Sequence, residues 1–461
     1  MPSIVFDDFR GGLDLRRNPA LSAANILLVL NNAYVTTGRA IRKRPCATKI
    51  AELESGTVGL KAGLGKLNTF YGSGSITHAN TLFAARKVAH PTTPALAVNA
   101  VHYCEPFAGY LYASVGYTDG SIKHHYLDTN PTSAVTDVNC PHTKEVAKVG
   151  SRIFAAKAGG LARFSALGAP RDWTTVSDAG FIDPGSSAGG SSEVTALAAW
   201  DKNLTCFFSD SVQVWDIFPD PADHSLRAQS AIGCDHYLSP GPIAGDLMFL
   251  AQQGFRTIGI VSNTDNLQEN DAGSPIDELR DEIELTDSPR SVFYPKLGQY
   301  WQINGGKVYV YSFSRSVKLS AWSTFEFPFN VDDATVLAGQ LYLRSGDNVY
   351  RVDDHAYTDN GVAPLVEVEM YYVDAKSPGM LKQFTGFDAL CRGSAEIAFG
   401  YTTENQTLET DFYTFSGDTR PGGMNPMEIC AQSIAPRLRH QADELFELSS
   451  IQCYYEELGP L

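Results

Sequence analysis

Six stretches of this chain share one layout, an apolar strand, a glycine-containing or polar turn and a second strand, and they recur every 40–55 residues. The fullest copies are GSRIFAAKAGGLARFSALGAPRDWTT (150–175) and GQYWQINGGKVYVYSFSRSVKLSAWST (298–324). In both, nine positions separate a Phe-Ser from a tryptophan: Phe164-Ser165 to Trp173, and Phe313-Ser314 to Trp322. Weaker copies run over 109–127, 203–218, 245–260 and 339–353. A repeat of this length, read as four short strands, buries its faces only against its neighbours, and closing the repeats into a ring leaves no face bare. The expected fold is therefore all-β, a β-propeller of about six blades. Five or seven blades also fit the spacing, and a β-sandwich of look-alike hairpins is the competing architecture.

Composition agrees with a folded β-protein: 40 Gly, 24 Pro, 21 Tyr and 24 Phe among 461 residues, with 19% charged. Beyond Tyr357–Gly361 the pattern changes to longer alternating segments such as VEVEMYYV and EIAFGYTT, read as a separate C-terminal β-sandwich-like domain. The expected organisation is an N-terminal arm and platform segment over 1–60, the propeller over 61–360 and the C-terminal β-domain over 361–461. Helix signals are few. One is Ser274–Ile283, with Ser274 as N-cap and Pro275 at the first position, and another runs from about Ser22 to Asn32 with Ile26, Leu27 and Leu30 on its apolar face.

No stretch approaches the roughly 18 apolar residues of a membrane span. Asp7, Asp8 and Arg10 stand where a secretory signal would be apolar, so the expectation is synthesis in a cytoplasm. The formal charge of −16 argues against a protein that coats nucleic acid by neutralising phosphates. Eight cysteines without a C-x-x-C pair predict small buried thiols rather than a zinc or disulfide framework. His124 and His125 are adjacent on a strand and point to opposite faces, which argues against a shared metal ion.

No nucleophile elbow, Walker loop or H-E-x-x-H motif is present. Gly72-Ser-Gly74 lies in a turn-like stretch, and DPGSSAGGSS (183–192) reads as an inter-blade loop. A propeller glycosidase would need two carboxylates in its funnel, and Asp119, Asp201, Asp210, Asp347 and Asp353 all fall near expected turns without the sequence pairing any two. The expectation is a protein with no enzymatic activity, no catalytic or metal-binding residues and no cofactor. The stretch from Asp265 to Asp287 holds nine carboxylates and one arginine. It reads as a solvated helix and loop, or more sharply as an acidic wall that keeps DNA from sticking, with Asp277, Glu278, Asp281 and Glu282 as the channel-facing candidates.

The opening arm is basic, with Arg10, Arg16, Arg17, Arg42, Lys43 and Arg44 against Asp14 alone over residues 10–49. Its interleaved Leu13, Leu15, Ile26, Leu27 and Leu30 provide a packing face that a phosphate-binding tail does not need. Phe9-Arg-Gly-Gly12, Pro19, Leu30-Asn31-Asn32 and Arg44-Pro45 follow in an order that resembles the start of the tail nozzle proteins of short-tailed bacteriophages, also called tail hub or packaged-DNA stabilisation proteins. Cys46 stands where that pattern has glycine, which implies that the position needs no positive φ. Gly168-Ala-Pro-Arg-Asp-Trp173 with Asp178-Ala-Gly180, and Gln253-Gly-Phe-Arg256 ahead of Ile276–Ile283, are similar to further phrases of the same family.

The resemblance implies a structural virion protein, made in the bacterial host cytoplasm and resident in the tail. It would form a homo-hexamer below the adaptor ring, extend the DNA channel from the portal, help retain the genome, allow its ejection and carry fibres, spikes or a needle. Packaged double-stranded DNA would pass through the lumen without specific binding. The six basic arm residues would then meet acidic surfaces of a neighbouring subunit or of the adaptor. The alternative is a carbohydrate-binding or carbohydrate-cleaving propeller, a receptor-binding protein or depolymerase.

Overall fold

A computed structural model describes residues 2–18, 25–72, 78–128, 133–187, 193–243, 245–261, 272–285, 289–417 and 423–460. Within them the six repeats are hairpins of antiparallel strand sets, and a further set, with one parallel pairing, precedes them, so that seven blades stand in chain order. Blade one is Thr57–Gly63, Lys66–Tyr71 and Phe83–Arg86; blade two is Val98–Phe107, Tyr110–Tyr117 and Ile122–Tyr126. Blade three runs from Val146 to Ile182, blade four from Ala196 to Ser230, blade five from Gly241 to Thr257, and blade six from Arg290 to Glu326. Blade seven is Asp333–Leu337, Gln340–Ser345 and Asn348–Asp353, completed by Cys46–Glu52 from the arm.

Seven apolar clusters, one per junction, show why the ring closes. Phe107 and Tyr112 of blade two meet Ile153 of blade three, and Phe154 of blade three meets Leu204 of blade four. Phe207 of blade four packs on Phe249 of blade five with ring centres 4.8 Å apart. Trp301 of blade six meets Leu341 of blade seven, Val349 of blade seven meets Leu60 of blade one, and Val98 of blade two packs on Val58 of blade one. Met248 and Phe255 of blade five join Tyr300 and Trp322 of blade six in a core that continues into the C-terminal domain. Each junction removes apolar surface that no single three- or four-stranded sheet could bury alone.

The Phe-Ser/Trp spacing has a structural basis. Both Phe-Ser pairs end the third strand of their blade, and both tryptophans are fully buried. Trp322 lies in the fourth strand of blade six, whereas Trp173 sits in an irregular turn and fills the junction of blades two and three.

The C-terminal domain is a two-sheet sandwich, and the arm is part of it. One sheet runs Asn425–Ala431, Met380–Arg392, Glu447–Pro460, Ile41–Lys43, Ala33–Val35, with Ser3–Phe6 also on Glu447–Pro460. The other continues from blade six through Gly12–Leu13, Ile26–Asn31, Val366–Met370, Ala435–His440, Ser394–Gly400 and Tyr413–Ser416. Phe387 links the sheets, with its ring 5.4 Å from Phe399 and 5.9 Å from Phe415.

Two expected helices differ from what forms. Ile26–Asn31 is a strand, because ILLVLN finds a ladder partner in Val366–Met370 and Leu27 and Leu30 enter the sandwich core; residues 19–24, including Pro19 and Ser22, lie outside the described residues. Ser274–Glu282 is a 3₁₀ helix with Gly273 as its cap and a break at Ile276. The Ser274 hydroxyl accepts from Arg16 instead, at 3.2 Å.

Gly12 explains the Gly-Gly of the arm. It has φ +61°, and an added Cβ would lie 2.8 Å from the backbone of Trp322, so only glycine lets the arm run beside blade six. Cys46 opens its strand without left-handed backbone, as its replacement of glycine implied. Residues 73–74, 188–192, 265–271 and 286–287, parts of the expected loops and acidic stretch, lie outside the described residues; Pro184–Ser187 forms one helical turn.

Candidate functional site

The first strands of successive blades face the ring axis, and at one mouth they enclose a cavity of about 390 Å³. Its wall draws on Val58 of blade one, Asn99 and His102 of blade two, Arg290 of blade six, and Asp332, Asp333 and Arg344 of blade seven. Tyr237, from the connection between blades four and five, reaches across to bond His102 Nδ1 at 2.9 Å, and the Lys144 ammonium sits 4.9 Å above its ring.

Asp333 organises the charges. Its side chain is 3% exposed and accepts from Lys61 Nζ at 2.7 Å, from Arg290 at 2.7 Å and from Arg344 Nε at 3.4 Å. Burial pushes this carboxyl up, but the three cations together outweigh it and hold it down at about 2. Burial first, and Lys144 next, push His102 and His236 down to about 4, so both imidazoles are neutral near pH 7. A carboxylate so firmly ionised has no proton to donate, and the arrangement suits a rigid polar cluster better than acid–base chemistry. Asp119, Asp201, Asp210, Asp347 and Asp353 do not line this cavity; Asp119, Asp347 and Asp353 bond turn or strand amides of Ser121, Thr57 and His355.

The basic residues of the arm have partners inside the chain. Arg10 chelates Asp8, Arg16 pairs with Asp14, and Arg42 lies 3.9 Å from Glu447. Arg17 is exposed. Lys43 and Arg44, expected on a subunit surface, are instead buried: Lys43 Nζ donates to the Ala442 carbonyl at 2.6 Å, and Arg44 is 1% exposed. The Arg44 guanidinium donates to Asn32 at 2.8 Å, to the Glu326 carbonyl at 2.7 Å and to both oxygens of buried Asp359, and it stacks 4.3 Å from the Phe327 ring centre. The physical reason is that Asp359, which also accepts from the Ala47 amide, needs a cation in the joint where arm, blade six and interdomain segment meet.

Of the acidic candidates, Asp277 is held by Arg256 through two bonds of 2.8 and 3.0 Å, and Glu282 pairs with Lys307. Glu278 and Asp281 are exposed on the 3₁₀ helix. Gly254 explains its place in the Gln253-Gly-Phe-Arg256 phrase, since a Cβ there would sit 2.1 Å from the Asp277 carboxylate. Asp178 of the Asp-Ala-Gly phrase accepts from buried Arg152, and Arg171 donates to Asp128, so both motifs are structural ties between strands.

His124 and His125 do point apart, to Tyr112 and Tyr117 respectively. Sequence reasoning did not find what His124 meets: Cys140 and His142, whose ligand atoms lie with its own within 4.8 Å of one another. The only sequence signal is a C-x-H spacing 16 residues beyond a strand histidine.

No family model matches the chain, and no curated protein matches it. Among solved structures, the WD40 β-propeller domain of Doa1 is 9% identical with a TM-score of 0.38, covering 67% of this chain and 96% of that domain. A chain of the Mitotic Checkpoint Complex is 12% identical with a TM-score of 0.36, covering 77% and 94%. Raptor of Chaetomium thermophilum is 12% identical with a TM-score of 0.34, covering 56% of this chain and 24% of its own. At such values the propeller assignment rests on the blade order and ring closure described above.

Proposed function

We propose that this chain is a structural virion protein, a subunit of the tail nozzle of a short-tailed phage that assembles as a homo-hexamer below an adaptor ring. The observation that carries the reading is the arm. It is built into both sheets of the sandwich and into blade seven, which makes a single rigid block of platform and propeller. Its opening sequence is also the stretch that resembles nozzle proteins.

Two further features support it. The Met380–Arg392/Glu447–Pro460 sheet and its flank leave Val5, Leu390 and Met424 at 45%, 38% and 46% exposure, interspersed with polar Asp388, Gln452 and Ser450, a mixed surface of the kind subunit contacts use. Tyr237 and the Asp333 cluster crowd one side of the hub, and DNA would run in a lumen between subunits, where the net charge of −16 opposes adhesion. Fibre, spike or needle proteins would attach outside that lumen. The carbohydrate-cleaving alternative asks for an acid–base pair in the funnel, where the most enclosed carboxylate is already bound by three cations.

Mass photometry of the purified chain tests the reading. A particle of about six times the 50.0 kDa chain mass, appearing on concentration or on adding an adaptor ring, is the expected result. A chain that stays monomeric with and without the adaptor counts against it.

A further inference from the structure

We propose that His124, Cys140 and His142 form a structural site for one zinc-like divalent ion that pins the segment between blades two and three onto blade two. The three ligand atoms lie within 4.8 Å of one another, close enough to converge on one ion. Metal bonds of about 2.0–2.3 Å place neighbouring tetrahedral ligand atoms about 3.3–3.8 Å apart. Cys140 Sγ lies 3.4 Å from His124 Nδ1 and 3.7 Å from His142 Nδ1, which accepts from the His124 amide at 3.1 Å and turns from it to the ion on binding.

The backbone is arranged for this. His142 has φ +53°, a left-handed conformation unfavourable for a non-glycine residue, and its ring lies beside that of His124, with ring centres 5.5 Å apart. The shorter contact of His124 Nε2 is to the Thr143 carbonyl, at 2.8 Å, which places the ring lone pair on Nδ1, facing the sulfur. The Thr143 amide lies 3.2 Å from the same nitrogen and belongs to the other tautomer. The Tyr112 hydroxyl hydrogen-bonds His124 Nδ1 at 2.8 Å, so binding of the ion replaces that bond.

Two imidazoles and one thiolate match a borderline-soft ion, and the absence of a carboxylate among the three disfavours calcium or magnesium. On binding, the Cys140 S–H bond breaks, its proton leaves to solvent and the sulfur lone pair forms the metal bond. The site is independent of the assembly reading, because it stabilises one chain.

Cobalt(II) titration of the full chain, stripped with chelator and carrying Cys430→Ser to remove the exposed thiol, is the test. The expected result is one equivalent of cobalt with tetrahedral d–d bands and a thiolate-to-cobalt charge-transfer band. Cys140→Ser should lose the charge-transfer band, Cys453→Ser should keep it, and zinc should raise the melting temperature of the parent but not of His142→Asn, which tolerates the left-handed turn. A parent protein with no charge-transfer band, or a band that survives in Cys140→Ser, overturns the proposal. Because the parent alone gives a decisive result, misfolding of either variant does not rescue it.

Discussion

Arg44→Glu is expected to unfold or nearly unfold the chain, with a loss of about 3–5 kcal/mol or more. Removing one partner of a buried ion pair leaves the other charge without compensation, and a glutamate adds a second buried negative charge beside Asp359. The same change forfeits donors to Asn32 and the Glu326 carbonyl and the contact with Phe327. Urea unfolding followed by tryptophan fluorescence measures it. The paired change Arg44→Met with Asp359→Leu should recover part of the loss, since apolar replacement of a buried pair removes both charges together. Arg42→Glu, by contrast, alters a half-exposed pair with Glu447 and should change stability by no more than about 1 kcal/mol, so it is the variant that separates an assembly defect from a folding defect.

Acidification should destabilise the protein well before its carboxylates titrate. His102, His224 and His236 are each pushed down to about 4, chiefly by burial and then by Lys144 or Arg152. Unfolded histidine titrates near 6.5, so below that pH the unfolded chain binds protons that the folded chain refuses, and stability falls as pH falls from about 6.5 toward 4. Near pH 5.5 these three groups contribute about two to three protons taken up on unfolding, or up to about 4 kcal/mol per pH unit. Asp333 adds a slope of the same sign at lower pH: its stabilising contribution is intact above the unfolded carboxylate range and is lost as pH drops toward about 2. Urea midpoints from pH 7.5 to 4.5 read the effect, and a midpoint unchanged between pH 7 and 5 contradicts it.

The ring was legible in the sequence because each blade repeats the same burial problem. Strand–turn–strand patterning marks six hairpins, two of them with the Phe-Ser/Trp spacing, and all six lie in blades. The third strand of the remaining blade, 57–86, joins in parallel rather than by another tight turn. The fourth strand of blade seven comes from residues 46–52, some 300 positions earlier, a pairing no local pattern carries. The same distance hid the role of Arg44, whose partner Asp359 lies 315 residues away, so a basic strand read as a contact surface. Ile26–Asn31 had helical spacing on paper, yet its neighbours on both sides are strands and decide its conformation. The hub was illegible for a related reason: Lys61, Arg290, Asp333 and Arg344 meet only once the ring is closed.

Electron microscopy of the assembled particle, with and without duplex DNA, addresses the central claim most directly. The account predicts six copies around a lumen wide enough for DNA, the sandwiches forming the platform between subunits, and DNA density confined to the lumen. A solitary propeller at all concentrations, or density for a bound chain or sugar inside the hub where Tyr237 meets His102, would contradict it.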